Sequence, residues 1–144
     1  MTTYDIALQI DIAAEPTAVY TALTTTDGVA GWWTTRNESR SEVGETSHFH
    51  FPDAPVSWDM RIDEAVPGKA LSWHCTGGPA QWIGTDVTWA LTPAPDGGTR
   101  VSFDHTGFAA KDEMFRVVTL GWAQMILRLK QYAEGGTRVP FFDF

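Results

Sequence analysis

DEMFRVVTLGWAQMILRLKQYAE, residues 112–134, spaces its apolar residues as a helix does. At about 100° per residue, with Trp122 taken as zero, Met114, Phe115, Val118, Met125, Ile126, Leu129, Tyr132 and Ala133 fall on one side. Glu113, Arg116, Gln124, Arg128, Lys130 and Gln131 occupy the rest. The pattern predicts an amphipathic helix of about six turns at ~3.6 residues per turn. Acids at its start and Gly135-Gly136 at its end match the helix dipole and a glycine cap. A helix with one apolar stripe needs a partner surface, and the preceding sequence supplies a sheet.

Residues 4–12 alternate, with Tyr4, Ile6, Leu8, Ile10 and Ile12 on one face and Asp5, Gln9 and Asp11 on the other. This is the period of a half-buried antiparallel strand. Glu15-Pro16 then starts a short helix carrying Ala18, Val19, Ala22 and Leu23. Asp27-Gly28 breaks it, and a second helical turn is expected to end in Trp32-Trp33.

From 37 to 108 the chain reads as short strands between turn signals. They cover Thr46 to Phe51, Val56 to Asp63, Leu71 to Cys75, residues 82–92, and Val101 to His105. Brief turns favour a meander, because parallel pairing needs long crossovers. The expected fold is α+β: one domain over residues 1–144, with a curved antiparallel sheet of about six strands wrapped around the long C-terminal helix.

Composition narrows function. Eighteen acidic residues against ten basic give a formal charge of -8. Such a balance repels polyanions, so neither nucleic acid nor a membrane surface is expected as a partner. The single cysteine, Cys75, has no internal partner, which suits a cytoplasmic setting. MTTYDIALQI lacks the basic region of a signal peptide and reads as a strand.

The order of these features resembles the START-like, helix-grip superfamily (SRPBCC, Bet v allergen-like), and within it the group of activator of heat-shock protein 90 ATPase homologues. The resemblance is carried by Glu15 to Tyr20, Trp32-Trp33, Pro67 to Trp73, Val87 to Pro93, Gly98 to Phe108, and Gly121-Trp122 with Leu129. It implies a helix-grip fold with a space between sheet and helix. Relatives use that space for lipids, hormones or polyketides; some are aromatase/cyclases, and one branch stimulates a chaperone ATPase. Fold alone does not choose among these.

Strand parity turns Trp58, Met60, Trp73 and Trp89 toward the helix that carries Trp122. Buried indole N–H groups need partners, so this cluster suggests a ligand pocket with Trp33 at its mouth, unless the rings simply fill the core. Met114 and Met125 add an adaptable wall. Phe103 and His105 share the inward face of the last strand. His105 is thus either a polar anchor for a ligand or a core histidine bonded to the backbone.

His48 and His50 form an H-x-H with rings about 7 Å apart along the strand. Phe49 and Phe51 make the better inward face, however, so both histidines are expected in solvent. Two ligands do not make a zinc site, and neither metal nor cofactor is expected. No catalytic motif is present. The leading reading is therefore binding of a small apolar or aromatic molecule. The alternatives are a cyclase/aromatase or hydrolytic enzyme with His105 as base, or a chaperone accessory with a filled core.

Val117, Leu120 and Leu127 lie about 140–160° from Trp122, on the back of the helix. Three phenylalanines, Phe141, Phe142 and Phe144, crowd the tail. Either these residues form a homodimer interface, or the tail folds over its own chain and buries the stripe.

Overall fold

In the computed structural model, which describes residues 2–144, β1 (Tyr4–Ile12) leads into helices α1 (Pro16–Thr24) and α2 (Thr26–Ala30). Six further strands follow: β2 (Asn37–Glu38), β3 (Thr46–Phe49), β4 (Trp58–Val66), β5 (Ala70–Gly77), β6 (Asp86–Pro93) and β7 (Thr99–Phe108). Helix α3 (Glu113–Gly135) closes the series. The strands form one antiparallel sheet in the order β1-β7-β6-β5-β4-β3-β2. Only β1 leaves its sequence neighbours. It pairs with β7 from Tyr4 opposite Phe108 to Ile12 opposite Thr99, placing the chain's two best-alternating strands side by side.

Local chemistry sets the ends of the helices. Pro16 opens α1, where its fixed φ suits the first turn and its missing N–H costs nothing. Thr25 Oγ1 accepts from the Gly28 N–H at 3.0 Å and starts α2. Asp112 caps α3 by accepting from the Phe115 N–H at 3.0 Å. At the other end Gly136, at φ 72°, donates its N–H to the Tyr132 carbonyl at 2.8 Å. That left-handed turn is the conformation for which glycine is favoured.

Among the details that differ from the sequence expectation, three bear on the site. Helix α2 stops at Ala30, so Trp32 and Trp33 sit in the following turns. Strand β3 ends at Phe49 rather than Phe51, where the chain heads into the Pro52 turn with Asp53 at φ 62°. Residues 79–85 form turns rather than the start of β6. Trp82 donates its N–H to the Pro79 carbonyl and Thr85 to the Trp82 carbonyl, both at 2.9 Å.

Helix α3 packs Trp122, Met125, Ile126 and Leu129 onto the inner face of the sheet. Helix α1 adds Val19, Ala22 and Leu23 to the same core. The tail runs back over its own chain. Phe142 bridges Thr34 in parallel, and its N–H donates to the Trp33 carbonyl at 2.8 Å. Phe141 donates to the Trp32 carbonyl at 3.1 Å, and Arg128 Nη1 to the Val139 carbonyl at 2.7 Å. This strap does not cover the back of α3: Val117, Leu120 and Leu127 remain 63%, 62% and 57% exposed. Among the described residues, no helix is long and apolar enough to cross a membrane.

Candidate functional site

The Trp122 side of α3 is sealed. Its indole lies 4.6 Å from Phe103, 5.1 Å from Trp33 and 5.9 Å from Trp89, between ring centroids. Trp33 in turn stacks on Trp73 at 6.1 Å and packs against Phe49 at 4.4 Å. Met60, Trp73, Trp89, Phe103 and Trp122 are all buried in this continuous cluster. The space directly beneath the helix is therefore core, filled by the large side chains that strand parity turned inward.

His105 locks that core. Its Nδ1 accepts from the Trp122 indole N–H at 3.0 Å. Its Nε2 lies 2.8 Å from Thr85 Oγ1, whose hydroxyl donates to the Trp82 carbonyl at 2.6 Å. With that proton spent, Thr85 receives the Nε2 proton, which fixes the tautomer. One imidazole thus ties β7 to α3 and to the turn before β6. Burial pushes its pKa down to about 3, because no carboxylate offsets the cost of a charge there. The ring is neutral at ordinary pH and its only lone pair is engaged, so it offers no free base.

The concavity lies to one side of this core. An open groove of about 410 Å³ runs along the first half of α3. The helix contributes Met114, Val117, Val118, Leu120, Gly121, Gln124 and Met125. The facing walls are Trp33, Phe51 and Trp58, Trp82 from the turn before β6, and Phe141 and Phe142 from the tail strap. Phe51 holds this wall together, at 4.7 Å from Trp58 and 5.0 Å from Phe142. No charged side chain lines the groove.

Of the residues singled out for ligand binding, Trp33, Trp58, Met114 and Met125 line this groove, and the other six lie in the core. Of those singled out for an interface, Val117, Leu120, Phe141 and Phe142 line it too. Leu127 faces solvent, and Phe144 is half exposed with its ring under the Arg36 guanidinium at 4.7 Å. Phe51, Trp82, Val118, Gly121 and Gln124 were not singled out. Trp82 lies in a turn, where no period assigns a face, and Phe51 reads as inward-facing beside Phe49 but carries no role in the sequence reading. Val118 and Gln124 had been placed on their sides of the helix without a role.

Among the described residues, the indole N–H groups of Trp33, Trp73 and Trp89 and the Tyr20 hydroxyl are buried without a partner. Each such group costs about 1–3 kcal/mol. Trp33 is the one of the four that also lines the groove.

The other histidines and their carboxylate partners sit on the outer face. His48 Nδ1 pairs with Asp59 at 2.7 Å, and His50 Nε2 with Glu38 at 2.8 Å. Burial raises the Asp59 pKa, but hydrogen bonds from Ser57 and His48 outweigh it and leave the carboxyl below its usual range. Asp63, His74 and Asp86 bring three donor atoms within 4.8 Å of one another. His74 Nδ1 is hydrogen-bonded to Asp86 at 2.7 Å, and the Arg61 guanidinium already neutralises Asp63. Cys75 is buried, and desolvation raises its thiol to about 11, the form of a small inert hydrophobe.

This arrangement of a long helix, a wrapped antiparallel sheet and a groove at the helix edge agrees with a family-level match. The model of the activator of Hsp90 ATPase homolog 1-like proteins matches residues 13–134. The chain belongs to that family. Among solved structures it is similar to the Aha1 dimer from Colwellia psychrerythraea, with 30% identity over 92% of this chain and 98% of that one and a TM-score of 0.84. Protein MLL2253 from Mesorhizobium loti is 23% identical over 89% of this chain and 95% of its own, with a TM-score of 0.77. Protein SSP2350 from Staphylococcus saprophyticus, at 18% identity, covers 97% and 98% with a TM-score of 0.79. The last two, at such identities, share the fold alone. No curated protein matches the chain in sequence.

Proposed function

We propose that this family member binds a small, uncharged apolar molecule in the groove beside α3. The observation that carries the reading is the groove itself: about 410 Å³, walled by aromatic and aliphatic side chains, with no charged residue on its surface. Small-molecule sites are typically concavities of about 300–1,000 Å³ with apolar walls and few polar groups. An empty apolar groove of this size in water is costly, and a ligand removes that cost. The engaged lone pair of His105 weighs against using it as a general base. Cytoplasmic residence accords with the single buried cysteine.

The test is native mass spectrometry of the purified protein, followed by titration with N-phenyl-1-naphthylamine, an uncharged fluorophore that brightens in apolar surroundings. Wild type should bind it with a blue-shifted emission, and Trp58→Ala should weaken binding about tenfold by removing an aromatic wall. Emission identical to that in buffer at all protein concentrations would sink the reading.

A second reading concerns assembly. The exposed Val117, Leu120 and Leu127 form an apolar stripe on the back of α3, and the 30% identical relative from Colwellia psychrerythraea is a dimer. We propose a homodimer that uses this stripe. Sedimentation should give twice the 15.9 kDa chain mass, and Leu120→Asp should return the protein to a monomer. A wild-type monomer at high concentration would remove this reading without touching the first.

A further inference from the structure

Gly121 is out of place by every local criterion. It sits in the middle of a 23-residue helix, where glycine is less favourable than alanine because it orders more backbone. Two other glycines associated with helices have steric reasons. A Cβ on Gly28 would meet the Thr21 carbonyl, and one on Gly31 would run into the Tyr132 ring. At Gly121 an added Cβ meets nothing within 4 Å. The chain's own packing therefore does not call for a glycine there.

Its position explains what does. On the helical wheel Gly121 falls about 100° from Trp122. It is flanked there by Met114, Val118 and Met125 on the core side and by Val117 and Gln124 on the solvent side, all of which line the groove. Gly121 is thus the midline of the helix wall, and its missing side chain leaves bare backbone as the floor. Aromatic rings furnish the facing wall, including Phe51, Trp58, Trp82 and Phe142. Trp33 belongs to the same lining through its ring, while its unpartnered N–H is buried.

We infer that Gly121 is the specificity-determining residue of the groove. It admits an uncharged, flat, fused-ring ligand whose face lies on the α3 backbone and whose other face meets the aromatic wall. This inference rests on the groove being a ligand site, and it adds the shape that the site selects: rings lie flat on a bare helix, whereas bulky three-dimensional hydrocarbons do not gain from it.

The experiment uses the full chain with N-phenyl-1-naphthylamine, whose naphthalene supplies the flat fused ring, as the probe and 1-adamantanol as a globular competitor. Gly121→Ala should raise the melting midpoint by about 3 °C, as expected for glycine replaced in an open helical site. The same change should weaken the flat probe at least tenfold, and Gly121→Leu should abolish its binding while the protein stays folded. 1-Adamantanol should displace the probe poorly from wild type. If wild type binds the probe and Gly121→Leu binds it equally well, this inference falls and the ligand reading stands. If wild type binds neither compound, both fall. A drop in melting midpoint in Gly121→Ala would overturn the premise of open space. Loss of a dimer with unchanged probe binding would assign the glycine to a second copy instead.

Discussion

The two sides of α3 differ in everything but backbone. On one, Trp122 meets Phe103, Trp33 and Trp89 in a core without room for a ligand, and its N–H ends on a histidine held in one tautomer. About 100° around the same helix, Gly121 presents no side chain to a groove of about 410 Å³. One face spends its aromatic residues on stability. The other leaves apolar surface in water, which a folded chain keeps only at a cost. A helix-grip domain can therefore separate the part of its helix that holds the fold from the part that lines an open groove, residue by residue within a single turn.

The largest test of that separation is Trp122→Ala. It should destabilise the protein by about 3–5 kcal/mol and leave His105 Nδ1 without its donor. Chemical denaturation measures it, and a loss below about 1 kcal/mol would mean that the core face is not closed around Trp122.

The next is pH. The folded His105 pKa of about 3 lies below the ordinary 6.5, so between these values the unfolded chain binds a proton that the folded one refuses. Stability is complete above pH 6.5 and falls with pH by about 1.4 kcal/mol per unit toward pH 3. Near and below pH 4.5 the carboxylates Asp11, Asp59, Asp63 and Glu134, all held low in the folded state, add to the loss as they protonate. The window from pH 6.5 to 5 lies above that of the carboxylates. Denaturation midpoints should fall there in wild type and stay level in His105→Gln; equal slopes would refute the assignment.

The smallest effect, at Leu120, is read against a second leucine on the same helix. Leu129→Ala, fully buried, should cost about 2–5 kcal/mol. Leu120→Ala, 62% exposed at the groove rim, should stay within about 0.5 kcal/mol in dilute monomer. Comparable losses would show that the rim is as structural as the core.

Much of this molecule was legible from spacing. The period of α3 assigned Trp122, Met125, Ile126 and Leu129 to the core, and the alternation in β5, β6 and β7 did the same for Trp73, Trp89 and Phe103. The outward turn of His48 and His50 followed from Phe49 as the better inward residue. The groove was legible only in part. Trp33, Trp58, Met114 and Met125 were legible from the residue pattern and Phe51 only as an inward-facing residue, whereas Trp82 lies in a turn whose geometry no period announces. Gly121 carries no signal in the sequence beyond its place in a motif, because a glycine's role as a floor appears only once the walls are in place.

The sequence by itself determined which face each residue occupies within its own strand or helix, because periods of two and about 3.6 follow from backbone geometry alone. It thereby determined that a Trp-rich sheet face and an apolar helix face must meet. Only the tertiary structure decided that their meeting is solid under Trp122 and open beside Gly121. A concavity depends on how far apart non-neighbouring elements stop, and here that distance is set by the turn at Trp82, the loop at Phe51 and the strap that carries Phe141 and Phe142.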